Sequence, residues 1–123
     1  MKNSPDKPKS KPRKVPNENI ITNAILTYLN CRPHTFAWRN NTTGIYDSRK
    51  KCYRSRTGKY NIRGVADILG ITNEGRFIAI EVKRPGGRAS REQQYYLSRI
   101  KALGGIAGIA SSVLEAKELL EGN

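Results

Sequence analysis

Two apolar segments in the second half of the chain constrain the fold most strongly. Residues 65–72 (VADILGIT) and 77–83 (FIAIEVK) are separated by a short turn that contains Gly75, and this pattern predicts a β-hairpin. Isoleucine or valine occupies alternate positions of the returning segment, so one of its faces is predicted to be buried. Glu81 and Lys83 lie together on the opposite face.

The rest of the chain alternates helical and strand patterns around this hairpin. The predicted elements are a helix over 18–30, a strand over 35–40, a helix over 91–103, a strand over 106–110 and a helix between Ser112 and Gly122. Asn17, Ser90 and Ser112 are the predicted N-caps. Gln93 completes a capping box with Ser90. The order α-β-β-β-α-β-α predicts an α/β fold with a mixed central sheet.

The first 16 residues differ in composition from everything that follows. They contain six Lys or Arg and four prolines, with almost nothing to bury, which predicts a disordered basic arm. Such an arm is either a solubilising tail or a non-specific contact to phosphates. Residues 17–123 have the length of about one domain and are predicted to form a single core.

The charge balance indicates the class of partner. The chain has 23 Lys and Arg against 10 Asp and Glu, a formal net charge of +13, which favours a polyanion such as nucleic acid. An anionic membrane surface fits less well, because no apolar run could span a bilayer and the basic residues do not form one amphipathic helix. The N-terminus has no hydrophobic segment, so a cytoplasmic location is expected.

Cysteine and histidine contribute little to the predicted chemistry. Cys31 and Cys52 are far apart and form no CxxC motif, so neither a zinc site nor a disulfide is expected. His34 is the only histidine, which disfavours a mechanism that uses a histidine base.

The hairpin is predicted to bring two acidic side chains together. Asp67, near the start of its first strand, can meet Glu81 across the paired strands. Two carboxylates at one point repel each other, and a hard divalent cation, Mg²⁺ or Mn²⁺, would neutralise them. Lys83 would then orient or help deprotonate a water, or neutralise transition-state charge. Alternatively, Glu81 and Lys83 are an exposed ion pair that contributes under about 1 kcal/mol.

Four short motifs add to this interpretation. They are G-x-x-D (Gly64 and Asp67), E-V-K (81–83), S-x-x-Q (Ser90 and Gln93) and the double glycine Gly104-Gly105. With these motifs the chain closely resembles the virus-type replication-repair nuclease (VRR-NUC) family, a branch of the PD-(D/E)xK nucleases. The resemblance extends over about residues 17–121. One position departs from the family's pattern: its Pro-Asp pair is here Ala66-Asp67. The resemblance implies that the aspartate of this pair, and not the residue before it, is the metal ligand.

The resemblance implies a restriction-endonuclease-like PD-(D/E)xK core with its site at the end of the hairpin. The catalytic residues that it implies are Asp67, Glu81, Lys83, Gln93 and Glu18. The metal ligands that it implies are Asp67, Glu81 and the backbone carbonyl of Val82. A purely structural interpretation is open for two of these residues: Gln93 as the capping-box partner, and Glu18 as a carboxylate that favours the first turn of its helix.

A basic segment precedes the hairpin. Residues 32–63 contain nine Lys or Arg and one acid, with aromatic residues interleaved, and 40–63 are predicted to be a long loop or an irregular hairpin. This composition suits a groove that binds nucleic acid; a solvated loop with aromatics in the core is the alternative. Trp38 is predicted to be a core residue. The predicted nucleic-acid contacts are Arg49, Lys50, Lys51, Arg54, Arg56, Lys59, Arg63, Tyr53, Tyr60, Arg84 and Arg88.

These observations and the resemblance together predict a Mg²⁺- or Mn²⁺-dependent deoxyribonuclease. We expect it to be selective for branched or junction DNA in replication, recombination or repair. The resemblance suggests a stand-alone phage or prophage member and a possible homodimer. The alternative function is a non-catalytic nucleic-acid-binding accessory protein that retains the nuclease fold.

Overall fold

A computed structural model describes residues 16–40, 46–53 and 59–122. The elements in these ranges are α1 (Glu18–Cys31), β1 (Thr35–Arg39), β2 (Tyr46–Asp47), β3 (Cys52–Tyr53), β4 (Ile68–Thr72), β5 (Phe77–Val82), α2 (Arg91–Ala102), β6 (Ile106–Ala110) and α3 (Val113–Glu121). The predicted order α-β-β-β-α-β-α is confirmed. β2 and β3 add a short antiparallel hairpin inside the segment 40–63. The basic arm predicted at 1–16 lies outside the described ranges, apart from Pro16.

The four longer strands form one mixed sheet in the order β1-β4-β5-β6. β4 pairs antiparallel with both β1 and β5, and β6 pairs parallel with β5. A parallel neighbour requires a crossover connection, and α2 provides it. β5 is therefore an interior strand, with an antiparallel neighbour on one side and a parallel neighbour on the other.

Helices cover β5 on both faces. The core on the side of α1 and α3 includes Ile25, Leu29, Ile78, Ile80 and Val82. The core on the side of α2 consists of Ala66, Ala79, Tyr96, Leu97 and Ala107. The predicted apolar face of β5 is thus confirmed, and the opposite face is buried as well. The small side chains of the three alanines allow α2 to pack close to the sheet.

The predicted helix starts are confirmed by their hydrogen bonds. The side chains of Asn17 and Ser112 each accept a bond from the backbone N–H three residues further on, at 2.9 and 3.1 Å. Ser90 and Gln93 form both bonds of the capping box. Gly104, with a φ of +96°, follows the end of α2 as expected for a terminating glycine. None of the helices within the described ranges is long and apolar enough to cross a membrane.

The prediction that Trp38 is a core residue is wrong. Its side chain is 41 % exposed, and its ring lies 5.5 Å from that of Phe36, which is also exposed. On this face of the sheet α2 packs on β5 and β6. The side chains that β1 directs to the same face therefore remain in contact with solvent.

We expect Ile25→Ala to lower the free energy of unfolding by about 2–5 kcal/mol, because Ile25 is fully buried where α1 packs on the sheet. Urea denaturation followed by circular dichroism measures the change. Ile20→Ala, at a position 57 % exposed on the same helix, is the matched control and should change stability by no more than about 0.5 kcal/mol. An equal loss in both variants would contradict the orientation of α1.

Candidate active site

Glu81 occupies an unusual position for a carboxyl group. It lies on β5, one residue before the end of the strand, and is only 2 % exposed. Side chains alternate along a strand, so Glu81 shares the face of Ala79, which packs beneath α2. The interpretation of Glu81 and Lys83 as an exposed ion pair is therefore wrong, because one of the two groups is buried.

Asp67 lies beside Glu81 at the point where β4 begins. Since Ile68 pairs with Ile80, the next pair of positions in the register is Asp67 and Glu81. The Oδ2 atom of Asp67 accepts a hydrogen bond from the backbone N–H of Val82 at 2.9 Å. In a longer hairpin, a backbone carbonyl of β4 would accept this N–H, but here the side chain of Asp67 accepts it. The backbone pairing therefore begins at Ile68, and not at residue 65 as predicted.

The backbone of Val82 also faces this point. In an extended strand the N–H and C=O groups of one residue leave the chain on the same side. Because the N–H of Val82 is directed to Asp67, its carbonyl is directed to the same side of β5. The two carboxyl groups and this carbonyl, the ligands implied by the resemblance, therefore lie close together.

The site strongly perturbs the ionisation of Glu81. Its pKa is raised from 4.5 to about 9, first because burial disfavours the charged form, and then because of hydrogen bonding with Asp67 and the charge of Asp67. Lys83 lowers the same pKa and Glu18 raises it. Without a cation, these surroundings therefore favour the protonated form of Glu81.

One atom of this pair has no partner. The Oε2 atom of Glu81 is buried, and no hydrogen bond satisfies it; such an atom is costly unless something binds it. A divalent cation with oxygen ligands would satisfy this atom and would favour the ionised form of Glu81. Within the described part of the chain, no group of three or more His, Cys, Asp or Glu side chains could hold a metal. The donors present fit Mg²⁺ or Mn²⁺, because Mg²⁺ commonly binds one or two carboxylates and keeps several waters.

Lys83 and Glu18 approach the carboxyl pair from different elements. Lys83 follows β5, is half-buried, and donates its backbone N–H to the carbonyl of Ala110 at 3.1 Å. Its positive charge lowers the pKa of Glu81, because a nearby cation favours the ionised carboxylate. Glu18 is exposed in the first turn of α1, and it acts on Glu81 through charge.

Gly64 and Gln93 connect the loop before Asp67 to α2. Gly64 has a φ of +78°, and a Cβ atom there would lie 2.5 Å from the backbone carbon of Glu92. No side chain fits at this position, so glycine is required for the loop to contact the first turn of α2. The side chain of Gln93 accepts the backbone N–H of Ser90 at 2.8 Å, and this capping role is the one that the hydrogen bonds record.

The segment RPGG carries the chain from the site to α2. The N–H of Gly87 donates to the carbonyl of Arg84 at 2.8 Å, and Gly86 has a φ of +83°. Pro85 at the second position and a positive φ at the third are typical of a type II turn. This turn lets α2 return over the face of β5 that carries Glu81.

The predicted nucleic-acid contacts differ in how far the structure describes them. Those with exposed side chains are Arg49, Lys50, Lys51, Lys59, Tyr60, Arg63, Arg84 and Arg88. Arg54, Arg56 and the side chain of Tyr53 lie outside the described part of the chain. Lys59 and Tyr60 are neighbours in space, with the Nζ atom of Lys59 5.5 Å from the centre of the Tyr60 ring.

The sequence interpretation missed the residues of α2 that pack on the sheet near the site or line a neighbouring pocket. Tyr96 and Leu97 form the apolar cover over Ala79, and Tyr95 lies in a pocket with Arg63 and Arg91. The helical spacing of the segment indicates a buried face but not the strand that this face covers. Only the connection through the RPGG turn, which directs α2 over β5, could have suggested the contact.

The three helices, the mixed sheet and the E-V-K strand define a nuclease-like α/β domain. The family model of the VRR-NUC domain matches residues 18–114. The chain therefore belongs to the VRR-NUC family of nucleases, and nucleic acid is its class of substrate. No curated protein and no solved structure matches the chain.

The raised pKa of Glu81 predicts how stability depends on pH in the presence of EDTA. Folding holds a proton on Glu81 that the unfolded chain releases above about pH 4.5. This contribution is complete below pH 4.5 and is lost as the pH rises towards about 9, at no more than about 1.4 kcal/mol per pH unit. Urea denaturation between pH 5 and pH 9 measures it.

Glu81→Gln should make this part of the pH dependence disappear, because the amide does not titrate. Glu74→Gln, at an exposed position in the turn between β4 and β5, is the control for the loss of one charge and should keep the wild-type slope. A wild-type slope in Glu81→Gln would show that other groups cause the dependence.

Proposed function

We propose that this chain is a Mg²⁺- or Mn²⁺-dependent nuclease that hydrolyses phosphodiester bonds in DNA. The observation that carries the proposal is the buried Oε2 atom of Glu81, which has no partner and lies beside Asp67. The formal net charge of +13 attracts the polyanion, and the few acidic groups at the end of β5 supply oxygen ligands for a cation.

In this mechanism Asp67, Glu81 and the carbonyl of Val82 would hold the cation. The bound ion would polarise the scissile phosphate and lower the pKa of a water molecule. Asp67 is fixed by the N–H of Val82, and Glu81 would bind the cation in its ionised form. Lys83 then neutralises charge that develops on the phosphate, or orients the attacking water.

Further parts of the proposal concern substrate and setting. The exposed arginines and lysines, of which Arg84 and Arg88 lie in the segment between β5 and α2, suit a backbone groove, and exposed Tyr60 beside Lys59 suits an unpaired base. We therefore propose selectivity for branched or junction DNA, in replication, recombination or repair in the cytoplasm. Glu18 and Gln93 would support the site through charge and through the position of α2. A homodimer and a phage or prophage source remain part of the proposal.

Cleavage of labelled duplex, flap, four-way junction and single-stranded DNA in Mg²⁺, Mn²⁺ and EDTA tests the proposal. We expect metal-dependent cleavage by the wild type, and a loss of at least about 100-fold in Lys83→Ala and Asp67→Asn. Asn keeps an oxygen that can accept the N–H of Val82, so Asp67→Asn removes charge and leaves this contact. DNA binding in EDTA should be retained in both variants.

Lys101→Ala is the matched control for Lys83→Ala. It removes the same charge from an exposed position at the far end of α2, and it should cut like the wild type. Binding without cleavage under every condition would favour the non-catalytic accessory function instead. Full activity in Asp67→Ala/Glu81→Ala would show that the site assignment is wrong.

A further inference from the structure

A second surface feature includes Arg63, four residues before Asp67, and has no role in the mechanism above. The loop that leads to Gly64 and the first turns of α2 line an open pocket of about 500 Å³, formed by Ile62, Arg63, Arg91, Glu92 and Tyr95. This volume lies in the range of small-molecule sites in proteins. We call this feature the Tyr95 pocket.

The Tyr95 pocket is rigidly connected to the proposed catalytic site. Gly64, which follows Arg63, is in backbone contact with Glu92, so the two walls are fixed relative to each other. Asp67 follows Arg63 by four residues, which limits their Cα separation to about 14 Å. A stacked strand rises about 3.4 Å per nucleotide. A nucleotide in the pocket would therefore lie a few steps from the bond that is cut.

The apolar side of the pocket presents a ring to solvent. The side chain of Tyr95 is 66 % exposed, and Ile62 opposite it is exposed to the same degree. Each side chain would be better stabilised under an apolar cover. The face of a nucleobase is a flat apolar cover of suitable size, and an aromatic ring stacks on any base.

The polar side of the pocket indicates a phosphate. The guanidinium groups of Arg63 and Arg91 are exposed and belong to opposite walls, and guanidinium binds phosphate through paired hydrogen bonds. Glu92 lies on the α2 wall and would repel a phosphate, but its carboxylate can accept a hydrogen bond from the amino group of a base. A nucleotide, with both a base and a phosphate, matches both sides.

We propose that the Tyr95 pocket binds one unpaired nucleotide within a few nucleotides of the phosphodiester that is cut. This inference rests on the proposed function and specifies the substrate, because a base within a continuous duplex is stacked on its neighbours and cannot reach Tyr95. A second copy of the chain is the other possible occupant. It fits less well, since the exposed guanidinium groups of Arg63 and Arg91 suit an anion, and a homodimer can form through another surface.

Binding of fluorescein-labelled DNA, measured by anisotropy in EDTA, tests the inference. The substrates are a flap, a single strand and a continuous duplex of equal length. The wild type should bind the flap and the single strand more tightly than the duplex. Tyr95→Ala should weaken binding of these two by about 5- to 150-fold and change duplex binding less than about twofold. Arg91→Ala should reduce the slope of the logarithm of the binding constant against the logarithm of the salt concentration by about 1, the amount expected for one lost phosphate contact.

Two variants serve as controls for these substitutions. Phe36→Ala removes an exposed ring from β1, and Lys101→Ala removes an exposed charge from the last turn of α2. Neither should change the ratio of flap to duplex affinity. Thermal unfolding checks that each variant is folded; Tyr95 and Arg91 are exposed on a helix, where alanine is well tolerated.

Several results would overturn the inference. An equal effect of Tyr95→Ala on flap and duplex, no effect on either, or an equal effect of Phe36→Ala would each do so. Conversion of a dimer to a monomer by Tyr95→Ala, with the affinity ratio unchanged in sedimentation and anisotropy experiments, would assign the pocket to a second copy. A chain that binds the flap but does not cut it would contradict the nuclease proposal, while the affinity ratio would still decide this inference.

Discussion

The burial of Glu81 is the constraint on which the rest of the site depends. An interior strand covered by helices on both faces offers a carboxyl group almost no water, and this burial raises its pKa more than any neighbouring charge does. α2 excludes the water, and it can lie close to β5 because the residues beneath it are Ala66, Ala79 and Ala107. The raised pKa of the glutamate in the E-V-K motif thus depends on packing by a helix that begins eight residues after Lys83.

Asp67 connects the strand pairing with the acidic site. Its side chain accepts the N–H of Val82, so the carboxylate both ends the ladder between β4 and β5 and stands next to Glu81. The preceding turn cannot move independently, because Gly64 contacts the backbone of α2 directly. The G-x-x-D spacing therefore fixes how far Asp67 lies along the chain from the contact between Gly64 and α2. A preorganised site requires this kind of support for its side chains.

The element order and the helix starts could be predicted because they depend on neighbouring residues. Asn17, Ser90 and Ser112 each accept a hydrogen bond within the first turn of their helices. The alternation of Ile78, Ile80 and Val82 likewise predicts a strand from neighbouring residues alone. The burial of Glu81 and the exposure of Trp38 could not be predicted, since both depend on which strands α2 covers. The same E-x-K pattern suits a solvated strand and a covered one, and only the packing of a distant helix distinguishes them.

The distribution of charge separates the two functions considered for this chain. A protein that only binds nucleic acid needs its cations and gains nothing from a carboxyl pair, which repels phosphate and leaves a buried oxygen without a partner. Apolar residues of similar volume at positions 67 and 81 would pack at lower cost. The chain has a net charge of +13 and nevertheless carries this pair where β4 begins and β5 ends, with β5 buried from Ile78 to Val82. It thereby loses stability at a local site, as proteins commonly do where chemistry takes place. For this reason the charge pattern favours cleavage over binding alone.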